Sequence, residues 1–106
     1  MATKRTATAF KHQKGTLEAD IRDAFERLKW RDYIKSDSRV FVKPNFTLPF
    51  FKPGVTTRGS VIEATLAVLK DRASEVLIGE EDGGYGSYTA EYALMNHGIP
   101  NICRRR

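Results

Sequence analysis

The chain has 106 residues and a mass of 12.0 kDa, enough for one folded unit with one core and too little for two independent domains. With 41% hydrophobic and 29% charged residues it lies outside collagen-like, coiled-coil, disordered and membrane-spanning compositions, so a soluble globular protein is expected. The net charge of +5 invites a nucleic-acid reading, but seven of the 18 basic residues sit at the two ends, four in residues 1–14 and three at 104–106. The other 11 stand against 13 acidic residues, so the body is mildly acidic and a nucleic-acid partner is disfavoured. No apolar run approaches the roughly 20 residues of a transmembrane helix, and the start MATKRTATAF lacks the apolar stretch of a secretory leader. No membrane partner is expected, and the cytoplasm is the expected location. A lone cysteine, Cys103, excludes an internal disulfide and any iron–sulfur cluster built from this chain alone.

Taken in chain order, Thr6 to Lys11 alternates weakly and reads as a first strand. A helix follows, with Thr16 as N-cap, Glu18 and Asp20 in its first turn, and Leu17, Ile21, Ala24, Phe25 and Leu28 on one face. Ser36, Asp37 and Ser38 make a turn, after which Arg39-Val40-Phe41-Val42 reads as a buried strand. Pro44 has no N–H and ends that strand, and the stretch from Asn45 to Thr57, with Pro49, Pro53 and Gly54, has no usable periodicity and is a loop. The next helix opens near Thr57 or Ser60 and turns Val61, Ile62, Thr65, Leu66 and Leu69 inward. Glu75 to Ile78 is a second apolar strand ending at Gly79, and Asp82 to Ser87 is a glycine-dense turn. A helix is predicted from about Tyr88 to His97, with His97 capping its end and Gly98 just beyond it. Pro100 then suits the first position of a last helix that faces Ile102 and Cys103 inward, Cys103 being a core thiol.

Alternating strands and helices predict βαβ units: an α/β fold with a small, parallel, Rossmann-like sheet and flanking helices. Residues 1–106 read as a single partial domain, with a basic N-terminal segment at 1–14, a long loop at 44–57 and a glycine-rich acidic turn at 79–87. Two or three parallel strands make a thin sheet, so the domain is expected to be incomplete. Open α/β sheets bind ligands at the carboxyl ends of their strands, which places the corners around Asn45 and Asp82 side by side on one crevice.

Two opposite chemistries meet at that edge. Glu80, Glu81 and Asp82 before the glycines suit Mg²⁺ or another divalent metal ion, with Gly83 and Gly84 allowing close backbone approach. The plain alternative is a solvated turn whose acids favour the start of the next helix. Lys43, Asn45, Lys52, Thr56, Thr57 and Arg58 bring cations, an amide and hydroxyls suited to a carboxylate or phosphate. Against this, Thr57 would cap the helix, Lys43 would be a solvated strand end, and Asn45 would bond its own loop. No Gly-Lys-Ser/Thr follows the glycines, and Thr89 stands where a dinucleotide motif needs its third glycine, so neither phosphate loop is present. Leu48-Pro49-Phe50-Phe51 is an apolar loop tip, and Phe50 and Phe51 are its interface residues, toward an absent C-terminal part or a homo-oligomer. His12 has no visible partner.

The ordered set Lys43-Pro44-Asn45, Pro53-Gly54-Val55-Thr56-Thr57, Val76-Leu77-Ile78-Gly79-Glu80 and Asp82-Gly83-Gly84-Tyr85 resembles the N-terminal part of the domain of unknown function 362 family. The resemblance implies a truncated copy of a longer domain and a ferredoxin-type partner, without supplying a catalytic residue. The function expected is binding of a metal ion, a small anion, or both, at the strand-end loops. The alternative is a non-catalytic association module acting through residues 48–51. Whether the chain is an enzyme is left open.

Overall fold

The computed structural model describes residues 15–105. The strand expected at Thr6–Lys11 and His12 lie outside them. Helix α1 (Leu17–Arg27) starts where the Thr16 hydroxyl accepts a hydrogen bond from the Ala19 N–H, and Glu18 and Asp20 follow at the positive end of the helix dipole. A short 3₁₀ turn, Trp30–Asp32, then buries the Trp30 indole, whose N–H is satisfied by the Glu26 carboxylate at 3.0 Å. Strand β1 (Arg39–Val42) leads through the long loop to helix α2 (Gly59–Lys70) and strand β2 (Glu75–Ile78). Two short helices, α3 (Ala90–Asn96) and α4 (Ile99–Arg105), complete the described chain.

The sheet has two parallel strands among the described residues, in the register Arg39↔Glu75, Val40↔Val76, Phe41↔Leu77 and Val42↔Ile78. Alternation divides each strand cleanly. Val40, Val42, Val76 and Ile78 face the helices, while Arg39, Phe41, Glu75 and Leu77 face the other way and are exposed. The inward valines join two apolar clusters. One holds Ile21, Trp30, Ala64, Val68 and Leu69 between α1 and α2; the other holds Phe46, Ile62, Leu66, Ala93, Ile99 and Ile102 toward α3 and α4.

Several local expectations shift. Helix α2 begins at Gly59, within the expected opening, but its cap is Arg58, whose guanidinium offers no acceptor, and not Thr57, whose hydroxyl accepts from the Asn45 N–H. Helix α3 begins at Ala90 rather than Tyr88: the Thr89 hydroxyl accepts from the Tyr92 N–H, and the Tyr88 carbonyl is drawn away to the Gly83 N–H. Gly98 does follow the end of α3, with φ +74. Pro100 is the second residue of α4, still within the turn whose N–H groups lack helical partners. Cys103 is exposed, not a core thiol. Ile99 and Ile102, three residues apart, take the buried stripe of α4, and the next position turns about 100° away from it.

One core residue comes from the irregular loop. Phe46 is fully buried and stacks flat on the His97 ring, with centroids 3.8 Å apart. His97 also meets the Leu48 carbonyl at 3.0 Å through Nε2, so its ring ties the loop to the end of α3. Phe46→Ala is expected to lower unfolding free energy by about 3–5 kcal/mol, the range for emptying a buried aromatic site. Urea denaturation measures it, and a loss under about 1 kcal/mol would mean the loop is not part of the core.

Candidate functional site

Because β1 and β2 run the same way, both carboxyl ends open at one edge of the sheet. The ladder continues one step past them, with the Gly79 N–H on the Val42 carbonyl at 3.1 Å. Beyond that point the two chains diverge, and their next side chains meet across the gap. Lys43 Nζ lies 2.7 Å from Glu80 Oε1 and 3.9 Å from Glu81 Oε1. The Glu80 side chain is 5% exposed and that of Glu81 82%, so the first carboxylate is structural and the second faces solvent.

The two partners respond as a pair. The hydrogen bond to Glu80 raises the Lys43 ammonium above its ordinary value, against the opposing effect of desolvation. Desolvation pushes the Glu80 carboxyl up, but the hydrogen bond from Lys43, backbone bonds from Glu81 and Phe46, and the nearby positive charge outweigh it. The carboxyl is held below its ordinary 4.5.

A crevice of about 250 Å³ opens at this edge, lined by Lys43, Asn45 and Thr47 on one side and by residues 80–84 with Tyr88 on the other. The corners around Asn45 and Asp82 therefore do emerge side by side. Asn45 is wired into its own loop: its amide nitrogen donates to the Val55 carbonyl, and its amide oxygen accepts from the Thr47 hydroxyl. The Asn45 N–H donates to the Thr57 hydroxyl at 2.9 Å, and the Thr57 N–H returns to the Asn45 carbonyl at 2.7 Å. Thr56 is buried, its hydroxyl exchanging bonds with both backbone groups of Lys52. Thr56 and Thr57 thus close the neck of the loop and do not line the crevice, nor do Lys52 and Arg58.

On the acidic side, the three carboxylates point to three different tasks. Glu80 holds Lys43, Glu81 is largely free in solvent, and Asp82 accepts the Ala90 N–H at 2.7 Å at the start of α3. Among the described residues no group of three His, Cys, Asp or Glu side chains is placed to hold a metal ion. Gly83 has a packing reason to be glycine: a Cβ there would lie 2.5 Å from the Tyr88 ring. Gly84 opens a tight turn closed by the Ser87 N–H on its carbonyl at 3.1 Å, with Tyr85 at φ +58 and Gly86 at φ +69 at its tip. The Tyr85 ring stands wholly in solvent.

Thr47 and Tyr88 are crevice residues that the sequence reading did not single out. Tyr88 had a signal in the glycine-dense turn, which lets a large ring pack on the backbone; Thr47 had none beyond its place two residues after Asn45. Phe50 and Phe51 lie away from the crevice, 55% and 44% exposed. Phe50 stands edge-on to Tyr92, and the Arg58 guanidinium sits over the Phe51 ring. No helix among the described residues is long and apolar enough to cross a membrane.

A family model described as a domain of unknown function (DUF362) matches residues 40–106, from β1 through both strand-end loops to α4. No curated protein and no solved structure matches the chain.

The lowered Glu80 carboxyl has a consequence for stability. A carboxyl whose pKa falls on folding contributes fully above its unfolded value and loses that contribution as the pH drops through the folded one. Wild-type stability is therefore expected to fall below the ordinary glutamate value of 4.5, and Glu80→Gln to flatten that acid limb. At neutral pH the same variant should lose about 1–3 kcal/mol, the cost of removing the charged hydrogen bonds that the buried Glu80 carboxylate accepts. Urea titrations from neutral pH to about pH 3 measure both, and an unchanged acid limb would show the bridge to be idle.

Proposed function

The chain belongs to the DUF362 family, and we propose that its matched strand-end loops bind a small ligand: a divalent cation of the Mg²⁺ class together with a small anion bearing a carboxylate or phosphate. The observation that carries the reading is the Lys43 ammonium lodged between Glu80 and Glu81 at the carboxyl edge of a parallel sheet. One cation faces three carboxylates there, counting Asp82, so the crevice is net negative and favours positive charge.

Protein groups alone are too few to cage the ion. Magnesium-class ions bind through one or two carboxylates, waters and the oxygens of the ligand itself, which is why cation and anion are expected to enter together. Glu81, with its exposed side chain, is the residue placed to hold the ion, and Glu80 is the second carboxylate once Lys43 yields it. Lys43, half-exposed and released from Glu80, then has a free ammonium for the anionic end. Asn45 and Thr47 shape the opposite wall and, being bonded to each other, hold it rigid.

Isothermal titration with Mg²⁺, with phosphate or malonate, and with each pair tests this. The pair is expected to bind more tightly than either component, and Glu81→Gln to weaken the cation about tenfold, or ~1.4 kcal/mol. Lys43→Gln should remove the anion's contribution; because it leaves the buried Glu80 carboxylate without its cation, it is also expected to lower the thermal midpoint by several degrees, so the titrations are run well below that midpoint. Absence of binding by any pair at millimolar concentration would sink the reading.

A further inference from the structure

Parallel sheets are normally covered on both faces, and here the helices cover one. On the other, nothing among the described residues packs over Phe41 and Leu77, which are 63% and 43% exposed at paired positions of the ladder. The Phe41 ring leans across the sheet over Gly79, where a Cβ would come within 2.7 Å of it. Beside these two apolar groups, Arg39 and Glu75 form a cross-strand pair at 2.5 Å. The face therefore has a fixed polarity: Arg39 then Phe41 along β1, beside Glu75 then Leu77 along β2.

We infer that this face associates with a second copy of the chain, related by a two-fold axis parallel to the strands. Such an axis lays β1 of one copy over β2 of the other without shifting either along its length. Phe41 then covers the partner's Leu77, and Arg39 comes over the partner's Glu75. Both contacts occur twice, as an isologous interface requires. Charge complementarity selects this occupant: the surface that best matches a row of cation and apolar ring beside a row of anion and apolar branch is the same surface turned over. Two four-residue strands offer far less than the roughly 800 Å² per partner of a standard interface, so the dimer is weak, with a dissociation constant on the order of 100 μM or above. This inference is independent of the crevice and of the apolar tip at residues 48–51.

Sedimentation velocity on the full chain, from about 10 μM to about 1 mM, tests it over the range where so small an interface associates. A concentration-dependent monomer–dimer equilibrium is expected. Arg39→Glu and Glu75→Arg should each abolish self-association by placing like charges across the axis. An equimolar mixture of the two should recover the dimer, since each supplies the charge the other lacks. That recovery separates loss of the interface from loss of the fold. Phe41→Ser should weaken association at least tenfold. A wild-type chain that stays monomeric throughout, or a dimer that survives both charge reversals, overturns the inference.

Discussion

Two parallel strands cannot be joined by a tight turn, and in this chain everything else follows from how that connection is made. Helix α2 is the crossover between β1 and β2, and Ile62, Ala64, Leu66, Val68 and Leu69 are all buried. Ile62 and Leu66 serve the cluster toward α3 and α4, while Ala64, Val68 and Leu69 serve the cluster toward α1. The same helix thus fixes the direction of the strands and joins the two halves of the core. It also brings both carboxyl ends to one edge, which is what gives the crevice two walls from distant parts of the sequence.

The long connection between β1 and α2 is less free than its composition suggests. Phe46 is pulled into the core immediately after the strand, and the paired bonds between Asn45 and Thr57 close a neck behind it. What lies between is a compact loop whose ends touch, a form in which side-chain hydroxyls and amides replace the missing sheet or helix bonds. This accounts for the division of labour at the site. Groups that chemistry alone would assign to a ligand, such as Thr56 and Thr57, are needed to satisfy loop backbone. Lys43 and Glu81, on the chain just outside the neck and at the turn, keep exposed charged ends.

The parts legible in the sequence are those governed by periodicity. The two strands, the inward face of α1, Ile62, Leu66 and Leu69 of α2, and the Thr16 cap follow from residue spacing and cap chemistry, whereas Ala64 and Val68 of α2 are buried outside the expected stripe; the parallel pairing follows from the alternation of strands with helices. Adjacency of the Asn45 and Asp82 corners was legible for the same reason, since parallel strands end together. What was not legible depended on contacts between distant segments. Phe46 sits in an aperiodic stretch, and its burial is decided by His97, about fifty residues away. Cys103 and Ile102 are neighbours of similar apolarity, and only the packing of Ile99 against the core decides which one is turned inward. The fate of each hydroxyl in the loop is likewise a matter of which backbone group arrives beside it.

The charges on the sheet raise a question of purpose that the hydrophobic pattern answers. A slip of one residue would turn Val40 and Val42, or Val76 and Ile78, out to solvent, so alternation alone specifies the register. Arg39–Glu75 is an exposed pair, and pairs of that kind add little to stability. Lys43–Glu80 is half-buried, yet it lies beyond the last ladder bond and cannot set the pairing before it. The pairing register therefore does not require a cationic β1 beside an anionic β2. A charge pattern that the register leaves unconstrained, with the same polarity at both ends of the strands, is available for the recognition proposed above. At the carboxyl edge the opposite charges meet as Lys43–Glu80, 2.7 Å apart, and on the open face as Arg39–Glu75, 2.5 Å apart, and in both places the cation belongs to the β1 side.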